Sequence, residues 1–210
     1  HITLTAEGEI YLGYARRMLN LHLESIDRFK EPELEGEVRF GLPENFASLY
    51  LSEVLADFSS IHPRVLLNIE CDLTLNLFAR FKKHEFDLVL VKMNRPEDFP
   101  NGVDVWSEPL RWVGAADLIE PSKPVPLVLS PHPCVYRASA IKALEAAGRP
   151  WRHVFSSPSY AGTLAAVKAR LGITVMPQNM IPDTLGPLDS SLLPKLADTH
   201  VSLLKHTNDK

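Results

Sequence analysis

From Thr5 to Lys30 the chain has no proline, and its last glycine there is Gly13. At about 100° per residue, Ile10, Tyr11, Leu12, Tyr14, Ala15, Met18, Leu19, Leu21 and Ile26 fill a broad apolar arc. Glu9, Arg16, Arg17, Asn20, Glu24 and Asp27 occupy the other side. The spacing predicts one long helix, with Thr5 as N-cap and Glu7 and Glu9 in the first turn, where the helix dipole favours acids. Pro32 stops it. An arc this wide needs burial on more than one side, which predicts packing against a partner chain; the plainer alternative is packing on its own domain.

Beyond the Glu31–Glu35 break, strand-like and helix-like segments alternate. Val38–Leu42 reads as a strand ended by Pro43, and Asn45 as the cap of a helix running to Ser60, with Phe46, Leu49, Tyr50, Val54, Leu55 and Phe58 at helical spacing. Val65–Cys71 is a second strand, Leu73–Lys83 a second helix and Phe86–Met93 a third strand. Near-continuous apolar strands in β-α-β-α-β order predict a parallel sheet covered on both faces. After a polar loop at Asn94–Gly102 the pattern restarts. Val103–Ala116 reads as one long or broken strand and Val125–Leu129 as another. Ala138–Ala147 is a helix closed by Gly148. Val154–Ser156, a Ser159–Leu171 helix, Ile173–Met176 and a last strand at His200–Leu204 follow. Two α/β units of similar size predict two Rossmann-like lobes with a crevice between them.

Composition narrows the function. With 210 residues, 45% hydrophobic and 23% charged, the chain can bury a sizeable core. A net charge of -4 argues against direct nucleic-acid binding, which needs a Lys/Arg excess. The two cysteines, Cys71 and Cys134, stand far apart and suit a reducing compartment as packing residues. No apolar run reaches the roughly 18–20 residues that span a membrane, and no secretory signal opens the chain, so the cytoplasm is expected. The motifs GxSxG, HExxH, GxGxxG and GxxxxGK are absent. The histidines lack metal-ligand spacing. The chain is therefore expected to be a binding module rather than an enzyme, with no cofactor and no metal.

Several segments, taken in order, resemble the LysR-type transcriptional regulators. Leu4-Thr5-Ala6-Glu7-Gly8 and Tyr14-Ala15-Arg16-Arg17-Met18-Leu19 are similar to the family's linker helix. Gly36-Glu37-Val38-Arg39-Phe40-Gly41 resembles the first strand of its regulatory domain, and Leu51 to Pro63 the helix and turn after it. Phe86-Asp87-Leu88-Val89-Leu90, Glu108-Pro109-Leu110 and Leu171-Gly172-Ile173-Thr174-Val175-Met176-Pro177 complete the series. Cys134-Val135-Tyr136-Arg137, Trp151-Arg152-His153-Val154-Phe155 and Ser156-Ser157-Pro158-Ser159-Tyr160-Ala161-Gly162 resemble the enterobacterial motility and virulence repressors of that family. The family's winged helix-turn-helix is not in this chain, and neither is the short C-terminal helix that many members add.

The resemblance implies a fold of periplasmic-binding-protein type, preceded by the linker helix. Its divisions would be a linker helix at 1–32, a first lobe at 36–107 with 192–210, and a second lobe at 108–191. It also implies a homo-oligomer, with dimer contacts through Tyr11, Tyr14 and Met18 and between the 45–60 and 159–171 helices of different subunits. Promoter DNA would be reached only through the missing domain. Independently, ligands of open α/β sheets sit beyond the carboxyl ends of the strands, where helix N-termini attract carboxylates. Those ends hold Glu44, Asn45 and Phe46, then Asp72 and Thr74, then His132, Cys134, Tyr136 and Arg137, then Ser156 and Ser157. Asn45, Thr74, Ser156 and Ser157 are expected to hold the polar end of a small organic effector, a carboxylic acid with an aromatic body as one option. Phe46, Tyr136 and Met176 would wall it. For each serine and for Asn45 the alternative is plain helix capping, and for Arg137 a solvated helix start. Glu44, pointed inward, would favour an effector with a donor such as an amine or an indole N–H. The rivals are a solute-binding protein feeding a transporter, which predicts a monomer, and an enzyme of similar fold, which needs an Asp- and Arg-rich cleft.

Overall fold

The structure is a computed structural model and describes residues 5–30, 34–93 and 102–206. The Pro32 stop and all but Gly102 of the Asn94–Gly102 loop lie outside the described residues. Helix α1 (Ala6–Lys30) begins where the sequence predicts, with Gly8 N donating to Thr5 Oγ1 at 3.1 Å. Tyr11, Tyr14, Met18 and Leu21 on it are each more than half exposed.

Strand β1 (Gly36–Pro43), helix α2 (Glu44–Ile61), strand β2 (Val65–Asp72), helix α3 (Thr74–Phe81) and strand β3 (Leu88–Met93) form the first unit. β1 pairs in parallel with β2 on one side and β3 on the other, and the helices supply the crossovers that parallel strands require. α3 lies close over β1 because Gly41 has no side chain: a Cβ there would meet Leu77 Cδ2 at 3.0 Å and the Phe86 ring at 3.2 Å. Leu77, Phe86, Val89, Val91, Met93 and Leu204 make the core beneath.

Of the two readings of Val103–Ala116, one long strand or a broken one, the structure has the broken one: two strands in different sheets. β4 (Val103–Glu108) joins the first sheet, β5 (Leu110–Val113) the second, and Pro109 separates them. A proline has no N–H for the ladder, while its carbonyl accepts from Gln178 N at 2.9 Å. The chain thus passes between lobes at Pro109, and it returns before β9 (Thr199–Lys205). β9 runs antiparallel to both β3 and β4, giving the order β2-β1-β3-β9-β4. The sheet is therefore mixed, where the opening β-α-β-α-β pattern alone predicts a parallel one.

The second unit comprises β5, β6 (Val125–Leu129), α4 (Val135–Ala146), β7 (Trp151–Ser156), α5 (Tyr160–Lys168) and β8 (Thr174–Pro177). β6 is parallel to β7, Leu127 bridges to Ile173, and β8 is antiparallel to β5. All five residues of β6 are buried, as a central strand requires. Leu110, Trp112, Leu127, Leu144, Ile173 and Val175 form its core. Gly148, at φ +61, follows α4 in the left-handed conformation that glycine adopts freely. α4 starts three residues before the predicted Ala138, so Cys134 is its N-cap and Tyr136 and Arg137 lie in its first turn. Leu42, Phe46 and Val201 of the first sheet's lobe pack with Met180 from the second. That apolar contact joins the two lobes.

Candidate functional site

The carboxyl ends of β1, β2 and β3 converge on the starts of α4 and α5, and a cavity opens between them. Of the residues the sequence puts forward, Glu44, Asn45 and Thr74 line it from the first lobe. Cys134, Tyr136, Arg137 and Met176 line it from the second. Phe46 is 3% exposed and lies behind the wall, its ring under the Lys92 ammonium. Ser156 is exposed and Ser157 half-buried; neither lines the cavity. The Ser157 hydroxyl accepts from Ser159 N at 3.2 Å, and the Ser159 hydroxyl caps α5 by accepting from Gly162 N at 3.3 Å. Here the capping alternative describes the geometry. Asn45 is no cap: Pro43 holds that position, and Asn45 sits one residue inside α2, lining the cleft with its Nδ2 donating to Met180 Sδ at 2.9 Å.

The residue missed in the sequence is Lys92, near the end of β3. It is 5% exposed. Its Nζ donates to Asn45 Oδ1 at 2.5 Å and lies 4.3 Å from the centre of the Tyr136 ring and 4.8 Å from that of Phe46. Its backbone N–H donates to Thr74 Oγ1 at 3.3 Å. Burial pushes the amine down to about 7, partly offset by Glu108, Cys134 and Glu44. An ammonium has three protons to donate, and Asn45 is its one acceptor among the described residues. A lysine inside the apolar run Leu88-Val89-Leu90-Val91-Lys92-Met93 was the available signal.

Glu108, also missed as a site residue, lies 1% exposed beneath the cavity. It accepts from Trp106 Nε1 at 3.1 Å and from the Tyr136 hydroxyl at 2.9 Å. Burial and then Glu108 push the Tyr136 phenol well above its ordinary value, so it remains a donor. Glu44 reaches across the cleft: its Oε2 accepts from Tyr160 N, the first residue of α5, at 2.7 Å, and its Oε1 from Ser48 Oγ at 3.0 Å. A carboxylate on a helix N-terminus is favoured by the free N–H groups and the dipole. Asp72 Oδ1 accepts from Leu73 N at 2.6 Å and Asn76 Nδ2 at 2.9 Å. Arg137 Nη1 donates to Ser130 O at 3.1 Å.

The space open to the centre of a water molecule measures about 80 Å³. A wider cavity of about 620 Å³ adjoins it between α3 and α4, sharing Lys92, Cys134, Val135 and Arg137 and walled by Leu75, Phe78 and Ile141. Among the described residues no group of three or more His, Cys, Asp or Glu side chains is arranged to hold a metal ion. No helix there is long and apolar enough to cross a membrane.

Two α/β lobes with a polar, cation-bearing cleft at their strand ends define a ligand-binding domain of periplasmic-binding-protein type. The chain belongs to the LysR family: residues 31–206 match the LysR substrate binding domain. It is 33% identical over 205 residues to the HTH-type transcriptional regulator DgdR of Burkholderia cepacia, covering 96% of this chain and 69% of that protein. It is 30% identical over 205 residues to the regulator PecT of Dickeya dadantii, covering 97% of this chain and 64% of that one. The Synechocystis PCC6803 CcmR regulatory domain, solved in complex with 2-PG, superposes with a TM-score of 0.65 at 17% identity, covering 84% of this chain and 90% of that one. These relatives do not single out the enterobacterial branch, since the Burkholderia protein is as similar as the Dickeya one.

Proposed function

We propose that this chain senses a small organic acid in the cleft and passes the signal to DNA through a separate DNA-binding domain. The observation that carries the reading is Lys92, a buried amine over the Tyr136 and Phe46 rings whose one hydrogen-bond acceptor among the described residues is Asn45 Oδ1, in the wall of a cavity between two lobes. A carboxylate supplies the missing acceptors and restores the charge that burial disfavours. Binding there bridges the lobes, and a ligand shifts their arrangement only by its differential affinity for the two states. The boundaries of this reading are 36–107 with 192–210 for the first lobe, 108–191 for the second, and 1–32 for the linker.

The same reading makes the chain an oligomer. Tyr11, Tyr14 and Met18 expose 56–69% of their surface on one helix, and apolar surface of that extent favours a partner over water. α2 of one subunit would meet α5 of another. A regulator of transcription works where the DNA is, which makes the cytoplasm its compartment. The relatives are named as transcriptional regulators, which supports a domain that binds its effector without transforming it. An aromatic body needs more room than 80 Å³ and would have to reach into the adjoining cavity.

A thermal-shift screen of the chain against aliphatic, aromatic and indolic acids tests this. At about 100 times its Kd an effector adds about 2.7 kcal/mol, which moves Tm by roughly 5–10 °C in a domain of this size. Lys92→Met should remove the shift. A shift that survives the substitution would overturn the reading.

A further inference from the structure

A simple carboxylic acid leaves half of this cleft unexplained. Alongside the cations Lys92 and Arg137, two carboxylates, Glu44 and Asp72, line the same cavity. An anion drawn to Lys92 would face both, and like charges at short range disfavour binding. The topology brings these groups together. β2, β1 and β3 are neighbours in that order, about 4.8 Å apart strand to strand. At or just past their carboxyl ends stand Asp72, Glu44 and Lys92: acid, acid, base.

The existing bonds of the two acids do not exhaust them. Asp72 uses only Oδ1, and each Glu44 oxygen accepts one donor, whereas a carboxylate has about four acceptor sites. The remaining lone pairs suit a ligand donor, and the best complement to two carboxylates is a cation. Size sets a further limit. The space against the charged rim is narrow, about 80 Å³ open to the centre of a water molecule, against about 620 Å³ in the adjoining cavity. The walls beyond the charged rim are Leu73, Val135, Val175 and Met176.

We propose that the cleft recognises a small aliphatic α-amino acid, its carboxylate on Lys92, its ammonium on Glu44 and Asp72, and its short side chain against the apolar wall. This rests on the acid-sensing reading above and narrows it. It also gives Glu44 a second role. That side chain ties the first lobe to the N-terminus of α5, so an ammonium that engages it acts directly on a contact between the lobes.

The test is calorimetric titration of the chain with L-alanine and L-valine, with their deaminated counterparts propionate and 3-methylbutanoate, and with L-phenylalanine. Wild type, Asp72→Asn, Glu44→Gln and Lys92→Met are compared, each checked for a cooperative melt. Both conservative variants keep the shape and one acceptor oxygen. The amino acids should bind at least ten-fold tighter than the deaminated acids, with L-phenylalanine weakest. Asp72→Asn and Glu44→Gln should each reduce that preference at least five-fold, leaving the deaminated acids unchanged or improved. Lys92→Met should lose both kinds. Equal binding of deaminated acids, or a preference indifferent to Asp72 and Glu44, overturns the amino-acid assignment while acid sensing on Lys92 stands. Tighter binding of L-phenylalanine overturns the size argument. No binding of any acid overturns both readings.

Discussion

Replacing Lys92 by Met should stabilise the empty domain while abolishing its response to acids. Burial lowers the amine from 10.5 to about 7, and at 1.36 kcal/mol per pH unit the folded state disfavours the charged form by about 5 kcal/mol. In the unfolded chain the amine keeps its ordinary value, so between about pH 7 and 10.5 the unfolded state holds the extra proton. The contribution of Lys92 to stability therefore rises with pH across that window and is lowest below it. Methionine removes this penalty but strips Asn45 Oδ1 of its 2.5 Å donor, a loss of about 1–3 kcal/mol for a buried acceptor. At pH 7, where half of the folded-state amine is already neutral, the penalty is about 4 kcal/mol, so the variant should be more stable by about 1–3 kcal/mol. By about pH 9 the wild-type penalty falls to about 2 kcal/mol and the gap should close.

Urea unfolding of both proteins between pH 6 and 9.5, followed by tryptophan fluorescence, measures the difference directly. Subtracting the variant cancels the titrating groups that do not interact with Lys92. A difference that does not vary with pH, or a variant less stable than wild type at pH 7, would refute the reasoning. A bound carboxylate reverses the balance, because an anion beside the amine favours its charged form. Above about pH 7 binding should then take up a proton, visible as a dependence of the calorimetric heat on the buffer's ionisation enthalpy. The variant should show neither heat nor proton.

Three further outcomes follow from the same geometry. Gly41→Ala places a methyl 3.0 Å from Leu77 Cδ2 and 3.2 Å from the Phe86 ring, so it should cost about 1–3 kcal/mol in urea unfolding by overpacking. Tyr136→Phe leaves Glu108 Oε2 without its 2.9 Å donor at a site 1% exposed; a loss of about 1–3 kcal/mol is expected, measured by the same assay. Met18→Glu puts a charge among exposed apolar residues of α1 and should shift the chain towards monomer in sedimentation velocity without lowering its Tm.

The elements were legible because each carries its own period and its own punctuation. α2, β2, β6 and α5 appear within a few residues of their predicted ends, since Pro43, Pro63 and Gly172 mark the breaks wherever the chain folds. Pairing was less legible. No local pattern says that β9, more than a hundred residues after β3, lies antiparallel beside it, or that Pro109 divides a strand between two sheets. The site followed the same division. Strand ends are local features, so Glu44, Asn45, Thr74, Tyr136 and Arg137 were nameable from order alone. Ser156 and Ser157 were named by the same rule, yet Ser156 is exposed and Ser157 turns to accept from Ser159 N at the start of α5. Lys92 escaped for the opposite reason. Reading along β3, a lysine among Val, Leu and Met looks like the solvated end of a buried strand. The amine is enclosed only once Tyr136 of the neighbouring lobe lies over it, with Phe46 on its other side and Glu108 holding the Tyr136 hydroxyl. A buried charge is a property of tertiary enclosure, and its stability cost makes its retention in the cleft a mark of function rather than of fold.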